Sequence, residues 1–151
     1  MTTGRLAVLS NVNMNMVIRM LGKQAEVYEA EGYGNELGVL LNPTSSYHTF
    51  QPDITFLLMD LAELLEHDYD PRTAKERIGN WYQTLDGCLP EHGVFYISDA
   101  CLWAVELAVL ADPERKQQLE SLWSAELQKL AEKHVNVRIF PYRRIIEQQG
   151  E

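Results

Sequence analysis

The chain has 151 residues, 46% of them hydrophobic, with 22 acidic against 13 basic side chains and a formal net charge of −9. That size suits one domain with a buried core, and the acidic balance argues against nucleic acid and anionic membrane as partners, since both reward a basic face. Two cysteines, Cys88 and Cys101, both in apolar surroundings, are too few for a disulfide framework and point to a reducing cytoplasm.

No signal-peptide pattern opens the chain. Leu6 to Leu9 is an apolar run that reads as a buried strand, and it stops at the polar turn Ser10-Asn11-Val12-Asn13. Met16, Val17, Met20 and Leu21 then recur at helical spacing until Gly22. Ala25 to Tyr28 alternates with charge and suits a short second strand near the sheet edge. After the turn Gly32-Tyr33-Gly34, Asn35 to Leu41 forms a short helix ended by Asn42-Pro43, because proline disfavours helix at the residue before it. Thr44 to His48 reads as another short helix or an irregular loop. Ile54 to Met59, preceded by Gln51-Pro52-Asp53, has the continuous apolar character of a central parallel strand and runs into Asp60-Leu61-Ala62-Glu63. The apolar segment Ile54 to Leu65 is broken by Asp60 and Glu63 and is too short to span a bilayer.

Asp70-Pro71 opens a helix with the stripe Ala74, Ile78, Trp81 and Leu85, aspartate serving as cap and proline filling the first turn. Gly93 to Ile97 is a fourth strand ending at Ser98-Asp99. Asp112-Pro113 repeats the cap signal before a long helix with the stripe Leu119, Leu122, Trp123, Leu127 and Leu130. Val135 to Phe140 is a fifth strand, and Tyr142 to Gln149 begins a further helix. Strands alternating with helices imply βαβ units: an α/β, three-layer, doubly wound, mainly parallel five-stranded sheet of the flavodoxin-like type, with residues 1–151 as a single domain. The last helix shows no cap and no closing strand, which suggests an amino-terminal domain excised or truncated from a longer protein.

Such sheets gather ligands and nucleophiles at their carboxyl edge. Ser10, Asn11 and Asn13 in the first turn, with Asp60 and Asp99 at the ends of the third and fourth strands, are expected there. Ser10 is the candidate nucleophile and His48, in the segment before the third strand, its candidate base. Asn11, Asn13, Asp60 and Asp99 are the candidate ligand-binding residues, and each equally fits capping of the element that follows. His67 is expected to offset a helix dipole, while His92 and His134 fall on the amino edge. Trp81 and Trp123 read as core, and Trp103, near Asp99, as a cleft residue. No His/Asp/Glu spacing resembles a metal site, and Gly32-x-Gly34 lacks a phosphate-loop fingerprint, so neither metal nor cofactor is expected.

The combination of Leu9-Ser10-Asn11, Ala25-Glu26-Val27-Tyr28, Ser45-Ser46-Tyr47 with Phe50-Gln51-Pro52-Asp53, and the run to Asp60 resembles the amino-terminal domain of FkbH-type proteins. Those proteins are associated with building glyceryl-type extender units on acyl carrier proteins in polyketide assembly. That domain is similar in turn to the SGNH, or GDSL-type, hydrolase fold, whose nucleophilic serine sits in a Gly-Asp-Ser turn after the first strand. Ser10-Asn11-Val12 occupies that turn, so the nucleophile position falls on Val12, which cannot attack a carbonyl. The family's Gly-x-Asn-Asp motif falls near Met59-Asp60-Leu61-Ala62, where no asparagine stands, and its Asp-x-x-His motif has no match in Tyr142 to Glu151. The carboxyl-terminal half of FkbH-type proteins resembles haloacid-dehalogenase (HAD)-type phosphatases with an Asp-x-Asp motif after a strand. Asp68-Tyr69-Asp70 has the letters but precedes a helix. The resemblance therefore implies an accessory, non-hydrolytic SGNH-like domain that binds an acyl-carrier arm or an acyl or glyceryl group and works beside a carboxyl-terminal HAD-like domain. An acidic carrier would be repelled by this chain unless Arg138, Arg143 and Arg144 form a local basic patch. The alternative is a divergent SGNH-type esterase or acyltransferase that uses Ser10.

Overall fold

The computed structural model describes residues 4–11, 19, 22–23, 26–29, 36–99 and 112–141. Five strands form one all-parallel sheet: β1 (Arg5–Ser10), β2 (Glu26–Glu29), β3 (Ile54–Leu58), β4 (Val94–Ser98) and β5 (Val137–Phe140), in the order β2-β1-β3-β4-β5. The helices are α1 (Glu36–Leu41), α2 (Ser46–Phe50), α3 (Leu61–Leu64), α4 (Pro71–Cys88) and α5 (Pro113–Lys133). The strand order reverses at β1, and right-handed crossovers wound outward from such a point give the three-layer α/β arrangement expected from the sequence. Among the described residues no helix is long and apolar enough to cross a membrane.

The long helices start where their caps stand. Asp70 accepts from Arg72 N at 3.0 Å and Asp112 from Arg115 N at 3.1 Å, each followed by a proline whose missing N–H costs nothing in the first turn. Their apolar stripes cover one face of the sheet. Ala7, Leu9, Leu57, Phe95, Ile97 and Val137 meet Ala74, Ile78, Leu85, Leu119 and Leu127 in a single core. Within it Trp81, Tyr82 and Trp123 form a triangle of rings with centroids 4.8 to 5.1 Å apart. Each indole N–H is satisfied: Trp123 Nε1 donates to Ser98 O at 3.0 Å, and Trp81 Nε1 to the buried Glu36 carboxylate at 3.2 Å. On the opposite face Phe56, Tyr96 and Phe140 pack ring to ring.

Several strand boundaries differ from the sequence reading: β1 extends to Arg5 and Ser10, β3 ends at Leu58, and β4 runs from Val94 to Ser98. β2 extends to Glu29, and β5 begins at Val137 because Asn136 turns its amide onto Pro90 O (3.1 Å) and Gly93 O (3.2 Å), leaving Val135 86% exposed in the turn. Thr44 to His48 resolves into a turn followed by α2. The helices expected over 16–21 and 142–149, and with them Asn13, Cys101, Trp103, Arg143 and Arg144, lie outside the described residues.

Candidate functional site

Because all five strands run the same way, residues at the carboxyl ends of β1, β3 and β4 share one edge. Ser10, Asn11, Asp60 and Asp99 are brought together there, as the sequence suggested. Side-chain bonds continue the sheet past the ends of its strands. Ser10 Oγ donates to Leu58 O at 2.6 Å. Asn11 grips the backbone of Asp60 at two points, Nδ2 donating to its carbonyl at 2.9 Å and Oδ1 accepting from its N–H at 2.8 Å, across 49 residues of sequence. Ser98 Oγ, fully buried, accepts from Met59 N at 2.9 Å. The asparagine thus supplies the two-point exchange that a backbone residue makes in a β ladder.

The Asp60 carboxylate and the Asp99 backbone are engaged in the same manner. Asp60, 8% exposed, caps α3 by accepting from Ala62 N at 3.1 Å, and Asp99 N donates to Phe140 O at 3.0 Å. Asp68 and Asp70 accept from the backbone N–H groups of Asp70 and Arg72 as the chain turns into α4, so this Asp-x-Asp sequence serves a turn. Among the described residues no group of three or more His, Cys, Asp or Glu side chains could hold a metal ion.

His48 does not join this edge. It lies in α2, before β3, and a segment that precedes a parallel strand sits at that strand's amino end. Its Nε2 lies 2.9 Å from Leu40 O, and the neighbouring Tyr47 bonds Thr55 near the start of β3. Ser10 is paired with Leu58 at the other end of that strand, so Ser10 and His48 do not form a nucleophile and base. Cys88 offers no substitute, since burial raises its pKa and keeps it a thiol.

The histidine that does follow β3 is His67, which the sequence reading assigned to a helix dipole. It stands in a turn with two consecutive left-handed residues, Glu66 (φ 54°) and His67 (φ 60°), held by His67 N donating to Ala62 O at 3.0 Å. Its imidazole lies between the Glu63 carboxylate at 3.4 Å and the Tyr69 hydroxyl at 3.3 Å. The available signal was its place in the connection that Asp60 opens, within ten residues of the strand end.

An all-parallel sheet ordered 2-1-3-4-5, with polar residues gathered at its carboxyl edge, defines a doubly wound protein of the flavodoxin-like class. Neither a protein-family model nor a curated protein matches the sequence. Among solved structures the chain is similar to the N-terminal part of the protein BF1531 from Bacteroides fragilis, described as containing a phosphatase domain and complexed with Mg. The two share 17% sequence identity and a TM-score of 0.74, over 99% of this chain and 43% of that one. The chain therefore spans less than half the length of that structure, and the likeness establishes the fold.

Proposed function

We propose that this chain is the non-phosphatase, SGNH-like amino-terminal part of an FkbH-type protein. In this reading its carboxyl edge binds an acyl-carrier arm, or an acyl or glyceryl group, without hydrolysing it, in the cytoplasm and beside a carboxyl-terminal HAD-like domain. The observation that carries the reading is the fold shared over nearly the whole chain with the N-terminal part of a protein described as containing a phosphatase domain. The state of the edge supports the non-hydrolytic half of the proposal. By the resemblance the nucleophile position falls on Val12, Ser10 donates to a backbone carbonyl, and His48 lies at the other end of the sheet. Binding by such an edge calls for polar groups of fixed geometry, which the Asn11–Asp60 clasp and the Asp99 turn provide.

The test is calorimetry with a carrier protein bearing its pantetheine arm, set against the same carrier without the arm. Arm-dependent binding that is lost in Asp99→Ala, with the thermal midpoint unchanged, is the expected result. No heat at high micromolar carrier, or equal binding of both carriers, would overturn the reading.

A further inference from the structure

Below the amino ends of β3 and β4, Tyr47, His48, Gln51, Pro52, Pro90 and His92 line an open hollow of about 420 Å³. Small-molecule sites commonly fall in the range of roughly 300–1,000 Å³. Its walls come from two separate connections, α2 to β3 and α4 to β4, and both are fixed from outside the hollow. Asp53 accepts from Arg5 N at 3.0 Å through its carboxylate and from Val94 N at 2.9 Å through its carbonyl. Asn136 holds Pro90 and Gly93 through their carbonyls, as described above, and Tyr47 pairs with Thr55 Oγ1 at 2.7 Å. Burial pushes the Tyr47 pKa up to about 12, so that phenol keeps its proton.

The backbone is bent to build these walls. Gln51 has φ 52° and Gly93 φ 86°, and a Cβ at Gly93 would sit 2.8 Å from Asp53 O. Left-handed positions of this kind persist where the surroundings over-determine them, and a cavity whose walls are already fixed binds without an ordering cost.

The lining chemistry selects the guest. In a chain with 23% charged residues, none of the described lining residues is Asp, Glu, Lys or Arg, and the Asp53 carboxylate at the rim is already engaged by Arg5 N and His92, so the described lining favours an uncharged guest. Pro52 and Pro90 present flat apolar rings. The Leu40 carbonyl can only accept, so in the neutral imidazole of His48 the proton sits on Nε2 and Nδ1 is an acceptor. His92 stands at the rim with its side chain 71% exposed, 3.8 Å from the Asp53 carboxylate. We propose that this hollow is a binding site for a flat, uncharged ring carrying an N–H or O–H group, its faces against Pro52 and Pro90 and its donor on His48 Nδ1. The site lies at the opposite edge of the sheet from Ser10 and Asp60, so it stands or falls independently of the carrier-arm reading.

Titration of the intact chain with indole, followed by the backbone amide signals of His48, Gln51 and Gly93, is expected to give saturable shifts with a Kd near the millimolar range, as suits so small a ligand. 1-Methylindole keeps the ring and lacks the donor. It is expected to bind about threefold to tenfold more weakly, the worth of one neutral hydrogen bond, and His48→Ala is expected to bind both probes alike. The proposal is overturned if several millimolar indole produces no saturable shift at those amides, if 1-methylindole binds the unaltered chain as tightly as indole, or if a folded His48→Ala retains the preference. The comparison of the two probes needs no variant, so a His48→Ala chain that fails to fold leaves the test intact.

Discussion

Asn11→Ala removes both arms of the clasp between the ends of β1 and β3. At a residue only 8% exposed, the Asp60 N–H, 2.8 Å from the amide, loses its partner, and the carbonyl, 2.9 Å from the amide, keeps only the Leu64 N–H at 3.2 Å. A net hydrogen bond contributes about 0.5–1.5 kcal/mol, so the pair amounts to about 1–3 kcal/mol. For a domain of this size that is a fall in Tm of about 2–12 °C, at roughly 2–4 °C per kcal/mol. Asn11→Asp separates the two arms. It keeps the acceptor for Asp60 N–H but sets a carboxylate oxygen against the Asp60 carbonyl, so it is expected to be at least as destabilising as alanine at neutral pH. Part of that loss is expected to return as pH falls toward about 4, because repulsion from the carbonyl raises the new carboxyl's folded pKa and the protonated form can donate. Urea unfolding followed by tryptophan fluorescence reports both changes, since Trp81 and Trp123 are buried in the core. An Asn11→Ala loss below about 0.5 kcal/mol, the level of an ordinary surface substitution, would refute the claim that the clasp holds the edge.

Three further outcomes follow from the same geometry. Ser10→Ala is expected to cost about 1 kcal/mol through the lost bond to Leu58 O, and a fluorophosphonate probe is expected to leave Ser10 unlabelled; labelling of Ser10 seen by peptide mass spectrometry would restore the hydrolase alternative. Asp86 is held below the usual aspartate range first by His134 at 2.5 Å and then by Lys133 at 2.6 Å, so its contribution to stability is present above its ordinary value of 3.8 and is lost as pH falls through the lower folded value. Urea midpoints measured as pH is lowered through that window are therefore expected to drop more steeply for the parent than for Asp86→Asn. Gly93→Ala forces a side chain onto φ 86° and to within 2.8 Å of Asp53 O, and is expected to cost at least about 2 kcal/mol by thermal unfolding; a loss under half of that would mean that the loop relaxes.

The elements were legible where the sequence repeats one physical signal several times. α4 and α5 announce themselves by aspartate, then proline, then an apolar stripe, and β3 by an unbroken apolar run that both faces of a central strand require. Strand ends were less legible because they depend on distant partners: Asn136 ends a turn by reaching Pro90 and Gly93, 46 and 43 residues away. At the carboxyl edge the alternation of elements places Ser10, Asn11, Asp60 and Asp99 correctly, but what each side chain binds is a matter of tertiary geometry. Asn11 and Asp60 are 49 residues apart and nothing local marks them as a pair. His48 shows the opposite failure. Its polar neighbourhood suggested an active-site loop, whereas its position before a strand assigns it to the other end of the sheet.

The position of β1 between β2 and β3 also orders events in time. Ser10 finds its inner neighbour Leu58 only 48 residues later, and at a synthesis rate of about 5–20 residues per second that separation lasts about 2–10 seconds. Once β2 has been made, the apolar run Leu6 to Leu9 has only that short strand to pair with until β3 follows. Arg5 and Glu26, the oppositely charged pair 3.6 Å apart at the start of β1 and β2, match the register in which Arg5 faces Glu26 and so favour that early pairing before β3 arrives.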